Sequence, residues 1–120
     1  MRIILASSSP RRRDLLTEMG INYEVITKDV DETFKSDNIY EASMDVSYRK
    51  AMAVFNDIDG DVIVISGDTI VAKDNKVYGK PKDYNEAVSM LETFSGNSHE
   101  VISSLCVLIR KNNIEYKELT

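Results

Sequence analysis

Three short segments carry residue types that suit chemistry on an anion. The first is Ser7-Ser8-Ser9-Pro10-Arg11-Arg12-Arg13. It follows the apolar run 3–6, which reads as a buried strand, and it opens a helix with Ser9 as N-cap and Pro10 at the first helical position. A helix N-terminus offers free backbone N–H groups and the positive end of the helix dipole. Serine hydroxyls add donors, and guanidinium groups grip phosphate or carboxylate oxygens in pairs. Three arginines at a positive helix end are electrostatically unfavourable without an anion, although a solvated basic first turn is the plainer alternative. Neither the glycines nor the Gly-Lys-Ser/Thr ending of a P-loop is present.

The second segment, Ser66-Gly67-Asp68-Thr69, interrupts two apolar runs, 62–65 and 70–72. An aspartate at the end of a buried strand can bind a divalent cation or orient a water, whereas a β-bulge at Gly67 is the structural alternative. The third, Tyr78-Gly79-Lys80-Pro81, combines close backbone approach, stiffness and a point charge for phosphate, or is only a turn. Glu32, in Asp31-Glu32, is either a metal ligand or a solvated loop acid, and Lys50 either a ligand contact or a surface side chain. With one histidine, His99, and one cysteine, Cys106, no Ser/His/Asp or Cys/His nucleophilic set can be assembled.

The elements that must position these residues follow from periodicity. A helix starts at Pro10, continues through Leu15, Leu16 and Met19, and stops at Gly20. Residues 23–26 read as a strand, and 28–38 as a polar, acidic loop. Ala42, Val46, Ala51, Val54 and Phe55 mark a second helix over 39–55, and Gly60 centres a turn. Strands at 62–65 and 70–72 precede a hairpin through Asp74-Asn75 into 76–78. Asp83 caps a third helix carrying Ala87, Val88, Leu91 and Phe94, with Gly96 beyond its end. A long strand at 99–109, a turn at 111–113 and a last strand at 114–119 complete the chain. The order β-α-β-α-β-β-β-α-β-β predicts one α/β domain over residues 1–120 with a mixed sheet.

Composition limits the function classes. The 120 residues are 42% hydrophobic and 29% charged with a net charge of −5, which excludes collagen-like and wholly disordered chains and argues against nucleic-acid or anionic-membrane binding. The longest apolar run, 105–109, is far too short for a membrane span, and residues 3–6 are too few for a signal-peptide core. A soluble, cytoplasmic protein is expected.

In combination, these segments resemble the Maf family, or septum formation proteins, which are nucleoside triphosphate pyrophosphatases. The resemblance rests on Ile4-Leu5-Ala6-Ser7-Ser8-Ser9-Pro10-Arg11-Arg12, Asp31-Glu32, Arg49-Lys50-Ala51, Ser66-Gly67-Asp68-Thr69, Gly79-Lys80-Pro81, Ser95-Gly96 and His99-Glu100-Val101, in the family's order. It implies an elongated mixed sheet flanked by helices, like that of inosine triphosphatases. It also implies cleavage of a nucleoside triphosphate between the α- and β-phosphates, with a divalent cation, Mg²⁺ or Mn²⁺. Asp68 would then be the general base. Ser7, Arg12, Lys50 and Lys80 would hold phosphate, and Glu32 with Asp68 would hold the metal. Arg11 and Thr69 match the dTTP/UTP branch, whereas a 7-methyl-GTP branch places an aromatic residue and a glutamine there. The family also suggests a homodimer and a link to cell division arrest. A non-catalytic nucleotide-binding or regulatory fragment is the competing reading.

Two departures from the family pattern stand out. Asn97 replaces a common arginine, and Ser103-Ser104 replaces Thr-Gly. Relatives also continue past the position of Thr120, through further strands, a helix and a glutamine tied to base selection. The C-terminal part of the family fold is therefore expected to lie outside this chain, leaving Val101, Leu105, Val107 and Ile109 exposed or covered by a partner.

Overall fold

In a computed structural model, residues 1–33, 37–73, 76–78, 83–94 and 99–120 are described. The Asp74-Asn75 turn, the Gly79-Lys80-Pro81 motif, and Ser95, Gly96 and Asn97 lie outside them. Along the chain run β1 (Arg2–Leu5), α1 (Pro10–Glu18), β2 (Glu24–Val25), α2 (Ile39–Phe55), β3 (Val62–Lys73), β4 (Lys76–Tyr78), α3 (Tyr84–Phe94), β5 (Glu100–Lys111) and β6 (Ile114–Leu119). The sheet order is β2-β1-β3-β5-β6, with β4 also paired to β3. β1 is parallel to β2 and β3, while β4, β5 and β6 join in antiparallel fashion, so the sheet is mixed as expected. The described residues span 51 × 30 × 22 Å, an elongated form.

One expectation is corrected. The apolar runs 62–65 and 70–72 belong to a single strand. β5 pairs with β3 without a break from Val62↔Arg110 to Ala72↔Glu100, and Ser66, Gly67, Asp68 and Thr69 each take a partner in the same register. Gly67 therefore makes no bulge, and Asp68 lies in mid-strand rather than at a strand end. A continuous partner strand satisfies the backbone groups of this polar stretch, so nothing forces the chain to turn there.

α2 covers one face of the sheet. Asn38 caps it, accepting from the N–H groups of Tyr40 and Glu41 at 2.9 and 3.1 Å. From its inner side, Ala51, Val54 and Phe55 pack against Ile4, Ala6, Val62, Val64, Cys106 and Leu108. These strand residues alternate along their strands, so one face is apolar and dry. The β5–β6 connection is a two-residue hairpin in which Asn112 and Asn113 have φ of 54° and 64°. Asparagine tolerates that left-handed pair, and such turns match the twist of the strands.

α1 behaves differently from its spacing. Gly20 terminates it with φ 73°, as expected, yet the helix has no buried residue. Leu15 and Met19, which helical spacing assigns to a core, are 50% and 70% exposed. On β5, Val101 and Leu105 are exposed as anticipated, while Val107 and Ile109 are half-buried.

The buried face sets the stability. Ile4→Ala removes a fully buried side chain from β1 and is expected to cost about 2–5 kcal/mol. Asn38→Ala, which removes only the cap, should cost about 1 kcal/mol. Urea denaturation of both variants measures the difference.

Candidate active site

The site is built where, among the described residues, one edge of β3 has no strand partner. β1 covers one edge of β3 from Val62 to Ile65, and β4 covers it from Val71 to Lys73. The last bond on the β1 side runs from Ala6 N–H to the Ile65 carbonyl at 2.8 Å. Beyond it the chain leaves the sheet for α1, and residues 66–70 of β3 face neither β1 nor β4. An opening at the carboxyl end of a parallel strand, where neighbouring chains part, is the usual ligand crevice of α/β sheets.

Two hydrogen-bonded groups stand on either side of this edge. In the first, Ser7 Oγ accepts from the Ser9 N–H at 3.2 Å and from Arg12 Nη1 at 3.4 Å. Arg12 Nη2 donates to Thr69 Oγ1 at 3.0 Å, and the Thr69 and Ser103 hydroxyls are 3.2 Å apart. Ser9 occupies the N-cap position with extended backbone, but its side chain makes no capping bond. A β-carbon on Gly67 would stand 2.6 Å from Arg12 Nε and 3.0 Å from the Ser104 carbonyl oxygen. The guanidinium thus lies across the glycine, which admits it only because no side chain is there. Among the described residues Arg12 meets hydroxyls and no carboxylate, so its charge is available to a ligand.

In the second group, Lys50 Nζ lies 2.8 Å from Glu32 Oε1 and 3.5 Å from Asp68 Oδ1. Asp68 is only 9% exposed, and its other oxygen lies 3.5 Å from the Ser43 hydroxyl. Behind it sits a buried serine cluster. The Ser104 hydroxyl donates to the Ser43 carbonyl at 2.8 Å, which leaves its oxygen to accept from the hydroxyls of Ser43 at 2.9 Å and Ser47 at 2.5 Å. The Ser66 hydroxyl donates to the Ser47 carbonyl. Every buried hydroxyl of the cluster therefore has a partner, as burial requires.

Of these serines, Ser43 and Ser47 were missed in the sequence, although a signal existed. Ser43, Ser47 and Lys50 recur at helical spacing inside the apolar stripe of α2, so they line one face beside Val46 and Val54. Ser103 and Ser104, the departure from the family's Thr-Gly, enter the two groups separately.

Side chains alternate across a strand, which divides the predicted residues. Ser7, Arg12 and Thr69 come together on the α1 side of β3, and Glu32, Lys50 and Asp68 on the α2 side. Asp68 and Thr69 are neighbours in sequence but point to opposite faces. Arg11 is exposed and belongs to neither group, and Lys80 lies outside the described residues.

The donor chemistry fits a hard cation. Glu32 and Asp68 converge on one positive charge, now the Lys50 ammonium, and oxygen-only ligands suit Mg²⁺ or Mn²⁺ with water and phosphate oxygens completing the shell. No group of three or more metal-ligating side chains converges among the described residues. Burial pushes the Cys106 thiol up to about 11, which keeps it protonated and inert at neutral pH.

Comparison with known proteins bears on what this arrangement belongs to. A family model described as Maf-like protein matches residues 2–120. A dTTP/UTP pyrophosphatase of Thermoanaerobacter sp. is 41% identical over 116 residues, covering 97% of this chain and 60% of that protein. One from Clostridium novyi is 45% identical over 115 residues, covering 94% and 60%. The chain thus spans about three-fifths of the length of these curated relatives. Among solved structures, a nucleoside-triphosphatase (dITP/XTP pyrophosphatase) from Mycobacterium abscessus superposes with a TM-score of 0.61 at 15% identity, covering 100% of this chain and 71% of that one. The Staphylococcus aureus Ham1 protein gives 0.57 at 15%, covering 99% and 67%. At that identity the likeness concerns the fold, an α/β architecture shared with these two proteins. No helix among the described residues is long and apolar enough to cross a membrane. With its signature segments in order and the match running from residue 2 to 120, the chain belongs to the Maf-like protein family.

Proposed function

We propose that this chain is a nucleoside triphosphate pyrophosphatase acting on dTTP and UTP, releasing the monophosphate and pyrophosphate. The observation that carries this reading is the buried Asp68 carboxylate, set between Lys50 and Ser43 beside the open edge of β3, with the Arg12 guanidinium across the same strand. The names of relatives at 41–45% identity support it and supply the pyrimidine preference.

Phosphoryl transfer needs positioning and charge neutralisation more than covalent chemistry. A triphosphate laid along the uncovered edge meets Arg12, Ser7 and the N-terminus of α1 from one side. From the other it meets Lys50, Asp68 and Glu32. Asp68 takes a proton from a water that attacks the α-phosphorus. The bond from that phosphorus to the α–β bridging oxygen breaks, and pyrophosphate leaves with its electron pair. Lys50 stays close to the reacting oxygens, and once Asp68 is neutralised by the proton its ammonium is left to balance the negative charge developing on the phosphate. Lys80 adds a further phosphate contact by its motif. Arg11 and Thr69 belong to base selection. Glu32 and Asp68 would hold Mg²⁺ or Mn²⁺, which when bound neutralises charge on the phosphate oxygens. Residues 1–120 form one nucleotide-binding unit in this reading, acting in solution on a free nucleotide.

Incubation with Mg²⁺ or Mn²⁺ and a panel of triphosphates should release pyrophosphate from dTTP and UTP first, and no release from any triphosphate overturns the reading. Binding of dTTP without hydrolysis would instead point to a regulatory nucleotide-binding protein. Asp68→Asn is expected to lower kcat by about 10²–10⁴-fold while dTTP affinity stays near wild type. Turnover at the wild-type rate would remove Asp68 from the role of base. Gly67→Ala drives a β-carbon into Arg12 and should weaken dTTP binding by about tenfold, the worth of one charge-assisted contact. Calorimetric titration measures that loss, and thermal unfolding should show an overpacking cost of about 1–3 kcal/mol.

A further inference from the structure

Arg49 precedes Lys50 on α2 and has no part in the groups described so far. Its Nη1 donates to the Asp31 carbonyl, and its Nη2 donates to the Thr33 carbonyl at 2.6 Å. These are the two carbonyls on either side of Glu32. Asp45, one turn earlier on α2, steadies the same guanidinium at 3.0 Å. The bracketed segment is closed on itself as well, because Asp31 Oδ1 accepts from the Thr33 N–H at 2.9 Å and from its hydroxyl at 2.5 Å. Glu32 sits at the middle of this closed turn and reaches Lys50, the residue after Arg49, at 2.8 Å.

Asp29, Asp31, Glu32 and Thr33 are all exposed, and a polar acidic loop has little apolar surface with which to anchor itself. Arg49 also keeps its Nε buried without a hydrogen-bond partner, a cost that a surface ion pair would not carry. A planar guanidinium can meet two carbonyls at a fixed separation, which an ammonium cannot.

We infer that Arg49 is a positioning residue. By holding the carbonyls of Asp31 and Thr33 it keeps the Glu32 carboxylate on the Lys50–Asp68 cluster, and so sets the cation affinity of the site. This deepens the proposed function and rests on its assignment of Glu32, but the clamp itself can be tested apart from catalysis.

The test compares wild type, Arg49→Lys, Glu32→Gln and the double variant, with Arg49→Gln as the second probe should Arg49→Lys not fold. Mn²⁺ titration followed by electron paramagnetic resonance should show about tenfold weaker binding in Arg49→Lys. The double variant should bind no more weakly than Glu32→Gln alone, because Arg49 acts through Glu32. ¹⁵N relaxation should show lower order at Asp31, Glu32 and Thr33 in Arg49→Lys, with α2 unchanged. Additive losses in the double variant, or unchanged Mn²⁺ affinity in Arg49→Lys, overturn the inference. Should the wild type neither bind Mn²⁺ nor hydrolyse a triphosphate, the proposed function fails instead. The relaxation data then decide the clamp alone, and unchanged order at residues 31–33 overturns it.

Discussion

The ladder between β3 and β5, each twelve residues long, is the constraint on which the remaining structure depends. It carries the chain straight through Ser66, Gly67, Asp68 and Thr69, of which Gly67 and Asp68 have poor strand propensity. Their backbone groups are satisfied by β5, so their side chains are free for other work. Alternation then sends Ser66 and Asp68 toward α2, and Gly67 and Thr69 toward α1. Because β1 stops at Leu5 and β4 begins its pairing at Val71, no strand among the described residues pairs with the other edge of this polar stretch. The opening, the two faces and the division of the site between them all follow from that one unbroken pairing.

α2 serves the core and the site with a single face. Val46, Ala51, Val54 and Phe55 give the apolar contact, and Ser43, Ser47 and Lys50 interrupt it where Asp68 arrives. Burying four serines is tolerable because each hydroxyl finds an oxygen nearby, and because small side chains let α2 approach β3 and β5 closely. Arg110 offers a structural contrast to the site arginines. Its guanidinium stacks over Phe55 at 4.2 Å, holds the Ile58 carbonyl at 2.7 Å and pairs with Glu115 at 3.1 Å. All of its charge is used within the fold, whereas Arg12, among the described residues, hydrogen-bonds only hydroxyls.

Such local contrasts reconcile an acidic protein with the proposed anion site. The net charge of −5 describes the far field, but the crevice is governed by groups within a few ångströms. There Arg12 faces Ser7 and Thr69, and Lys50 faces two carboxylates that also suit a divalent cation. A ligand carrying both negative charge and a bound cation satisfies both sides of β3 at once.

The sequence by itself determined the element order, apart from one strand that it split in two, the helix limits at Pro10 and Gly20, the family, and the residue types at the site. These are readable because caps, turn residues and periodicity act between neighbours only a few positions apart. Clustered charge after an apolar strand also drew out the Ser7–Arg13 segment, and the polar interruption drew out Asp68, whereas Lys50 stood apart from an ordinary surface side chain only through the family resemblance. What only the tertiary structure decided lies across longer separations. Whether Ser66-Gly67-Asp68-Thr69 breaks or continues a strand depends on the partner that β5 presents some forty residues later. That Asp68 and Thr69 serve opposite faces, that the serines of α2 close around Ser104, and that Arg49 brackets Glu32 all depend on how strands and helices meet. Leu15 and Met19 show the converse, for helical spacing names an apolar face but cannot say what, if anything, packs against it. Local preference sets the elements, while burial and hydrogen-bond satisfaction, which are properties of the assembled fold, set the site.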